Sequence, residues 1–108
     1  MGSADATVEE TIRTAIGDRS PASLSYETTG AARRTVHPHV LFRAANGEIY
    51  VDGYQVAGPT SSGERLPAWR QLSLAKISAI ELLEGTFKTA PGYNPDADKY
   101  ASGIVARV

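Results

Sequence analysis

The spacing of apolar residues changes once, at Pro21, and that change constrains the fold more than any other feature. Before it, Val8, Ile12, Ala15 and Ile16 recur at helical spacing and make one apolar face. After it, apolar residues alternate in short runs separated by turn residues, as half-buried strands do. A single short helix followed by strands makes the chain mainly β. Its 108 residues suit one domain.

Thr7 with Glu10 three residues later has the form of a helix N-cap and capping box. Glu9 and Glu10 then fall in the first turn, where the helix dipole favours acids. Gly17 and Pro21 end the helix. Residues 1–6 are small and polar and are expected to form a disordered N-terminus, leaving 7–108 as the domain. A helix this short is marginal alone and has to pack on the strands.

The first strand is read at Ala22–Glu27, half-buried, with a turn at Thr28-Thr29-Gly30. The second runs from Arg34 to Ala45, with Val36, Val40 and Phe42 on alternate positions. Pro38 interrupts it, removes a ladder donor and predicts an edge or a bend. Asn46-Gly47 predicts a two-residue hairpin. The third strand is Glu48–Ala57, where Gly53 marks a bend or a close backbone approach. Gly58 to Gly63 forms a loop, and Trp69–Leu74 is the fourth strand. Ile77–Leu83 is read as the fifth, with a helical turn over 79–84 as the alternative. A tail from about residue 88 to 108 ends in the apolar alternation Ile104, Ala106, Val108. Five short strands most often close into a small barrel. The expected fold is therefore an SH3/Sm-like β-barrel of about five strands with one N-terminal α-helix.

Composition excludes several function classes. With no cysteine, there is no disulfide framework, thiolate metal site or cysteine nucleophile. The net charge of −1 argues against a generally basic nucleic-acid binder. No apolar run is long enough to span a membrane, and Met1 to Thr11 lacks the apolar core of a signal peptide. A small cytoplasmic domain is expected. Phosphate-loop, Gly-x-Ser-x-Gly and His-Glu-x-x-His patterns are missing, so no catalytic residue is assigned. His37 and His39 have the spacing of two metal ligands, but Pro38 lies between them and no third ligand is near. No metal or other cofactor is expected.

The middle of the chain, residues 22–76, carries a charge of +2 and is rich in arginine. Arginine makes forked contacts to phosphate and carboxylate. Arg34, Arg70 and Lys76, on three strands of a barrel, could converge on one face; the alternative is pairing of the arginines with Glu27, Glu48 or Asp52. Tyr50, Asp52 and Tyr54 share one side of the third strand. Tyrosines beside arginines suit base stacking, though alternate tyrosines in a strand also serve as half-buried core. Trp69 and Arg70 point to opposite sheet faces, and Trp69 is read as packing.

The order of pieces resembles the WYL domain. The matching residues are Arg34-Thr35-Val36-His37-Pro38, Ile49-Tyr50-Val51, Tyr54 and Trp69-Arg70-Gln71-Leu72-Ser73-Leu74-Ala75-Lys76-Ile77. The resemblance runs from about Glu10 to Phe87. It implies an SH3/Sm-like barrel with an N-terminal helix, of the kind found in bacterial transcription regulators and phage-defence systems. It also implies a non-catalytic sensor of a small anionic ligand, a nucleotide or a short single-stranded nucleic acid. Arg34, Tyr50, Tyr54, Arg70 and Lys76 would line that site. The family's Trp-Tyr-Leu triplet is Ile49-Tyr50-Val51 here, and one arginine of its later basic run is Ser73, which weakens the nucleic-acid expectation. The alternative is a protein-interaction or homodimerisation module acting by strand addition at Ile104–Val108.

Overall fold

A computed structural model describes residues 4–60 and 63–108. Helix α1 spans Ala4–Asp18, followed by β1 Ala22–Tyr26, β2 Arg33–Arg43, β3 Ile49–Ala57, β4 Ala68–Ser73, β5 Ile77–Leu82 and β6 Ile104–Arg107. The fold is mainly β with one N-terminal helix. Residues 1–3 of the expected disordered end, and Ser61 and Ser62 of the expected loop, lie outside the described residues.

Helix α1 starts three residues before the expected cap. Ala4 and Ala6 favour helix and Asp5 suits a first turn. Thr7 is thus inside the helix, where its carbonyl accepts the Thr11 hydroxyl at 2.9 Å. Glu9 and Glu10 fall in the second turn, and Glu9 pairs with Arg13 at 3.3 Å. Val8, Ile12, Ala15 and Ile16 are all buried, as the spacing predicts. Gly17 stays helical; Arg19 takes the left-handed φ of 54° instead, and Ser20 N–H closes the end on the Ala15 carbonyl at 2.8 Å.

The strands form one antiparallel sheet in the order β4-β3-β2-β1-β5, with β6 added to β2. Strand β2 serves two partners along the same edge. Its first half pairs with β1, ending at Ala22–Val36, and its second half pairs with β6 from Val40–Arg107. Pro38, which cannot donate to a ladder, stands at this handover. The β2–β3 register also shifts between Pro38 and Val40. Such a bulge reverses which side chains face the core. Val36 and Leu41 therefore both enter the core under α1, whereas Phe42 turns to the other face and meets Tyr50 and Tyr100. The expected common face for Val36, Val40 and Phe42 does not survive the bulge.

Gly53 lies opposite Pro38. A Cβ there would fall within the van der Waals envelope of Val36 Cγ1 and 3.4 Å from the His37 carbonyl oxygen. The expected close approach is thus present.

Two further expectations change, and the fifth strand is found as expected. All five residues of β1 are buried rather than half of them, because β2 and β5 flank it and Arg33 and Ser78 bond its carbonyls at Ser23 and Ser25. The β2–β3 hairpin has a three-residue loop, Ala45-Asn46-Gly47. It is closed by Ala44 N–H to Glu48 O at 2.8 Å, with the left-handed position at Gly47 alone. Residues 77–82 are strand, not a helical turn.

The sheet has six strands and is open: among the described residues no ladder joins β4 to β5. These end strands are only η2, Leu74–Lys76, apart in sequence, so the sheet curls strongly. At the corner, Ser73 N–H donates to the Tyr26 hydroxyl at 2.8 Å, which takes a donor that barrel closure would need. The C-terminal alternation forms β6, paired with β2 within the same sheet. Among the described residues no helix is long and apolar enough to cross a membrane.

Candidate ligand site

Arg34 is fully buried on the α1 side of the sheet. Its guanidinium donates to Thr29 Oγ1 from Nε and Nη2 at 3.2 Å, to Thr28 Oγ1 at 3.3 Å and to Gln55 Oε1 at 3.4 Å. It also lies 5.0 Å from the centroid of the Tyr26 ring. The Gln55 amide is fixed from its other end by the carbonyls of Ala57, Gly58 and Pro59, so its oxygen is held toward the arginine. Gly58, at φ 96°, lets that loop pass against the backbone of Arg33 and Arg34.

Arg70 stands opposite Gly53 in the β3–β4 ladder, between Trp69 and Gln71. Alternation puts it on the same face as Leu72 and opposite to Trp69, as the sequence predicts. Nη1 pairs with Glu64 Oε1 at 3.1 Å; the arginine side chain is 17% exposed and the glutamate 45%. Burial, and next the positive charge of Arg70, hold Arg34 below its ordinary pKa, with Tyr26 opposing them. Arg34 remains a cation at neutral pH. Among the described residues the acid paired with Arg70 is Glu64, which the sequence did not single out.

The other three expected site residues lie elsewhere. Lys76 is exposed at the end of η2 rather than on a strand. Tyr50 and Tyr54 are on the opposite face of β3 from Arg70. Tyr50 donates to Glu48 at 2.7 Å and stacks near Phe42, while Tyr54 meets the edge of Trp69 at 5.5 Å. Arg34 and Arg70 share one face of the sheet, without Lys76 and without a tyrosine of β3. Thr28, Thr29, Gln55 and Glu64 belong to the arginine cluster and were not singled out from sequence. Gln55 carried a signal, since it alternates with Tyr54 onto the apolar face of β3.

The opposite face is covered by the tail. His39 is fully buried among Trp69, Phe87 and Tyr93, with ring centroids 4.9–5.7 Å away. Nε2 accepts the Ala90 N–H at 3.0 Å, and Nδ1 lies 2.7 Å from the His37 carbonyl. That pairing assigns the neutral ring with its proton on Nδ1. His37 stacks on Phe87 at 4.9 Å, so the histidine pair anchors the tail. Burial lowers the pKa of both imidazoles. Trp69 Nε1 donates to the Pro91 carbonyl at 2.7 Å. Farther along, buried Asp52 accepts the Tyr100 hydroxyl and pairs with Lys99 Nζ, both at 2.6 Å on Oδ2. Burial first, then the hydrogen bond to Asp52, raise the Tyr100 pKa far above its ordinary value.

The WYL domain model matches residues 7–82. No curated protein matches. Among solved structures it is similar to proteasome accessory factor B/C (PafBC) of Arthrobacter aurescens, with a TM-score of 0.59 and 23% identity; the match covers 82% of this chain and 13% of that one. That likeness is one of fold. The helix, the antiparallel sheet and the family match over most of the chain lead to one assignment: this chain belongs to the WYL domain family.

Proposed function

We propose that the chain is a ligand-sensing domain that takes an anionic, phosphate-bearing ligand on the face holding Arg34 and Arg70. WYL domains are generally regulatory rather than catalytic modules. The observation that carries the reading is the Arg70–Glu64 pair, a cation with a half-exposed carboxylate as counter-ion, on the sheet face that also holds buried Arg34. A ligand phosphate has the charge and forked geometry to take the place of that carboxylate. Arg34, locked by Thr28, Thr29 and Gln55, contributes field and position rather than direct contact. Displacing Glu64 changes how its loop is anchored, and that change is the signal passed to a partner or a second copy. The net charge of −1 limits the phosphate contacts and favours a nucleotide or short single strand over a long polyanion.

The test is binding of a fluorescent single-stranded oligonucleotide and of a nucleotide to the wild type, R70A and E64Q. Losing one charged hydrogen bond costs about 1.5–3 kcal/mol, so R70A should bind roughly ten- to a hundredfold more weakly. E64Q removes the competing carboxylate and should bind more tightly. Unchanged binding in R70A, or weaker binding in E64Q, would overturn the reading.

A further inference from the structure

A cavity of about 320 Å³ lies where the tail meets β3 and β4, bordered by Trp69, Gln71, Tyr93, Asn94, Lys99 and Tyr100 among others. The side chains of Trp69 and Gln71 alternate with Arg70 along β4, so the cavity and the arginine cluster lie on opposite faces of the sheet. The other four residues belong to the tail, beyond the 7–82 span of the family match. The volume is at the small end of ligand sites and suits one ring with a short substituent.

The polar tips of the three aromatic residues are engaged inside the protein. Trp69 Nε1 donates to the Pro91 carbonyl, the Tyr93 hydroxyl to the Val108 main-chain oxygen and the Tyr100 hydroxyl to Asp52. Their rings therefore give the cavity apolar surface alone. Asp52 offers it no acceptor, since Oδ1 is buried and Oδ2 is taken by Lys99 and Tyr100.

Three side chains keep unused hydrogen-bonding groups. Gln71 is exposed, and its amide has no partner among the described residues. Exposed Asn94 accepts the Asp96 N–H on Oδ1 at 3.1 Å, which fixes the side chain and leaves its two amide N–H groups unused. Lys99, with its side chain 43% exposed, gives Asp52 one of its three N–H donors. Donors outnumber acceptors here, with only Gln71 Oε1 left to accept. A ligand that answers this set carries a carbonyl oxygen with an N–H group beside it.

Charge narrows the ligand further. Lys99 is balanced by Asp52, and exposed Asp96 and Asp98 flank the cavity residue Ala97. An acid would meet those carboxylates, and a cation would meet Lys99. A neutral ligand meets neither penalty. We infer that this cavity binds a small, neutral aromatic carboxamide. Its ring lies against Trp69, Tyr93 and Tyr100, its carbonyl accepts from Lys99 or Asn94, and its N–H donates to Gln71.

Trp69 is the only tryptophan in the chain, so its fluorescence reports on the cavity wall directly. The probes are benzamide, toluene and benzoate, which share one ring and differ in the substituent. Benzamide and toluene are uncharged, so their binding does not depend on the anion site. Saturable quenching by benzamide is expected at millimolar concentration or below. Toluene, which lacks the hydrogen bonds, should bind at least about threefold more weakly. Benzoate should also quench at higher concentration than benzamide. The variant A97L places bulk in the cavity and should abolish quenching by benzamide and by toluene. Q71L, at an exposed position, should weaken benzamide about twofold or more and spare toluene. No saturable quenching by benzamide, quenching by toluene or benzoate at equal or lower concentration, or unchanged benzamide binding in A97L or Q71L would each overturn the inference.

Discussion

Replacing His39 by phenylalanine keeps a ring of similar size and removes both nitrogens. In the native fold those nitrogens satisfy the buried Ala90 N–H at 3.0 Å and the His37 carbonyl at 2.7 Å. A buried donor left without an acceptor costs about 1–3 kcal/mol. The part-buried carbonyl adds roughly 0.5–1 kcal/mol. H39F should therefore lose about 1.5–4 kcal/mol, or about 7–18 °C in Tm for a domain of this size. Urea unfolding at pH 7.5, with a thermal melt beside it, measures this.

The same residue sets a pH dependence. Burial holds His37 and His39 below the ordinary value of 6.5. The unfolded chain therefore takes up protons first as the pH falls. Their share of stability is fully present above about pH 6.5 and is lost progressively below it. H39F should show a shallower acid decline, leaving only the part due to His37. A variant within about 0.5 kcal/mol of wild type, a change typical of an uninvolved surface site, would refute the reasoning. An acid decline as steep as wild type would refute it too.

Two other substitutions probe the scaffold. G53A forces a methyl group onto Val36 where β2 bulges at Pro38; overpacking of this kind costs about 1–3 kcal/mol, read by chemical denaturation. Y100F removes a hydroxyl donated to the buried Asp52 side chain at 2.6 Å and should cost roughly 1.5–3 kcal/mol, while oligonucleotide binding at the arginine face stays unchanged.

Much of the scaffold was legible because local patterns dictated it. The apolar face of α1, the strand runs and the close approach at Gly53 follow from residue type and spacing. The open sheet was not legible, because closure depends on where strand ends meet in space, as at Ser73 and Tyr26. The start of α1 was misplaced because Thr7 and Glu10 match a capping box while Ala4 and Ala6 continue the helix unaided. In the candidate site, Arg34 and Arg70 were legible as a pair. Their separation from Tyr50 and Tyr54 follows from alternation along β3 and from the ladder that sets Arg70 against Gly53. Lys76 was misjudged since η2 interrupts the strand pattern. Nothing local pairs Asp52 with Lys99 and Tyr100, almost fifty residues away. The bulge at Pro38 changed faces without changing composition, so its effect on Phe42 could be seen only in the fold.

The most direct test of the central claim is to map where an anionic ligand binds. Amide shifts of the isotope-labelled chain, followed during titration with a short single-stranded oligonucleotide and with a nucleotide, provide that map. The account predicts shifts clustered at Thr28, Thr29, Arg34, Gln55, Glu64 and Arg70, fading as salt is added. Shifts confined to Lys76, or to the Tyr50 and Tyr54 face, or no shifts with either ligand, would contradict it.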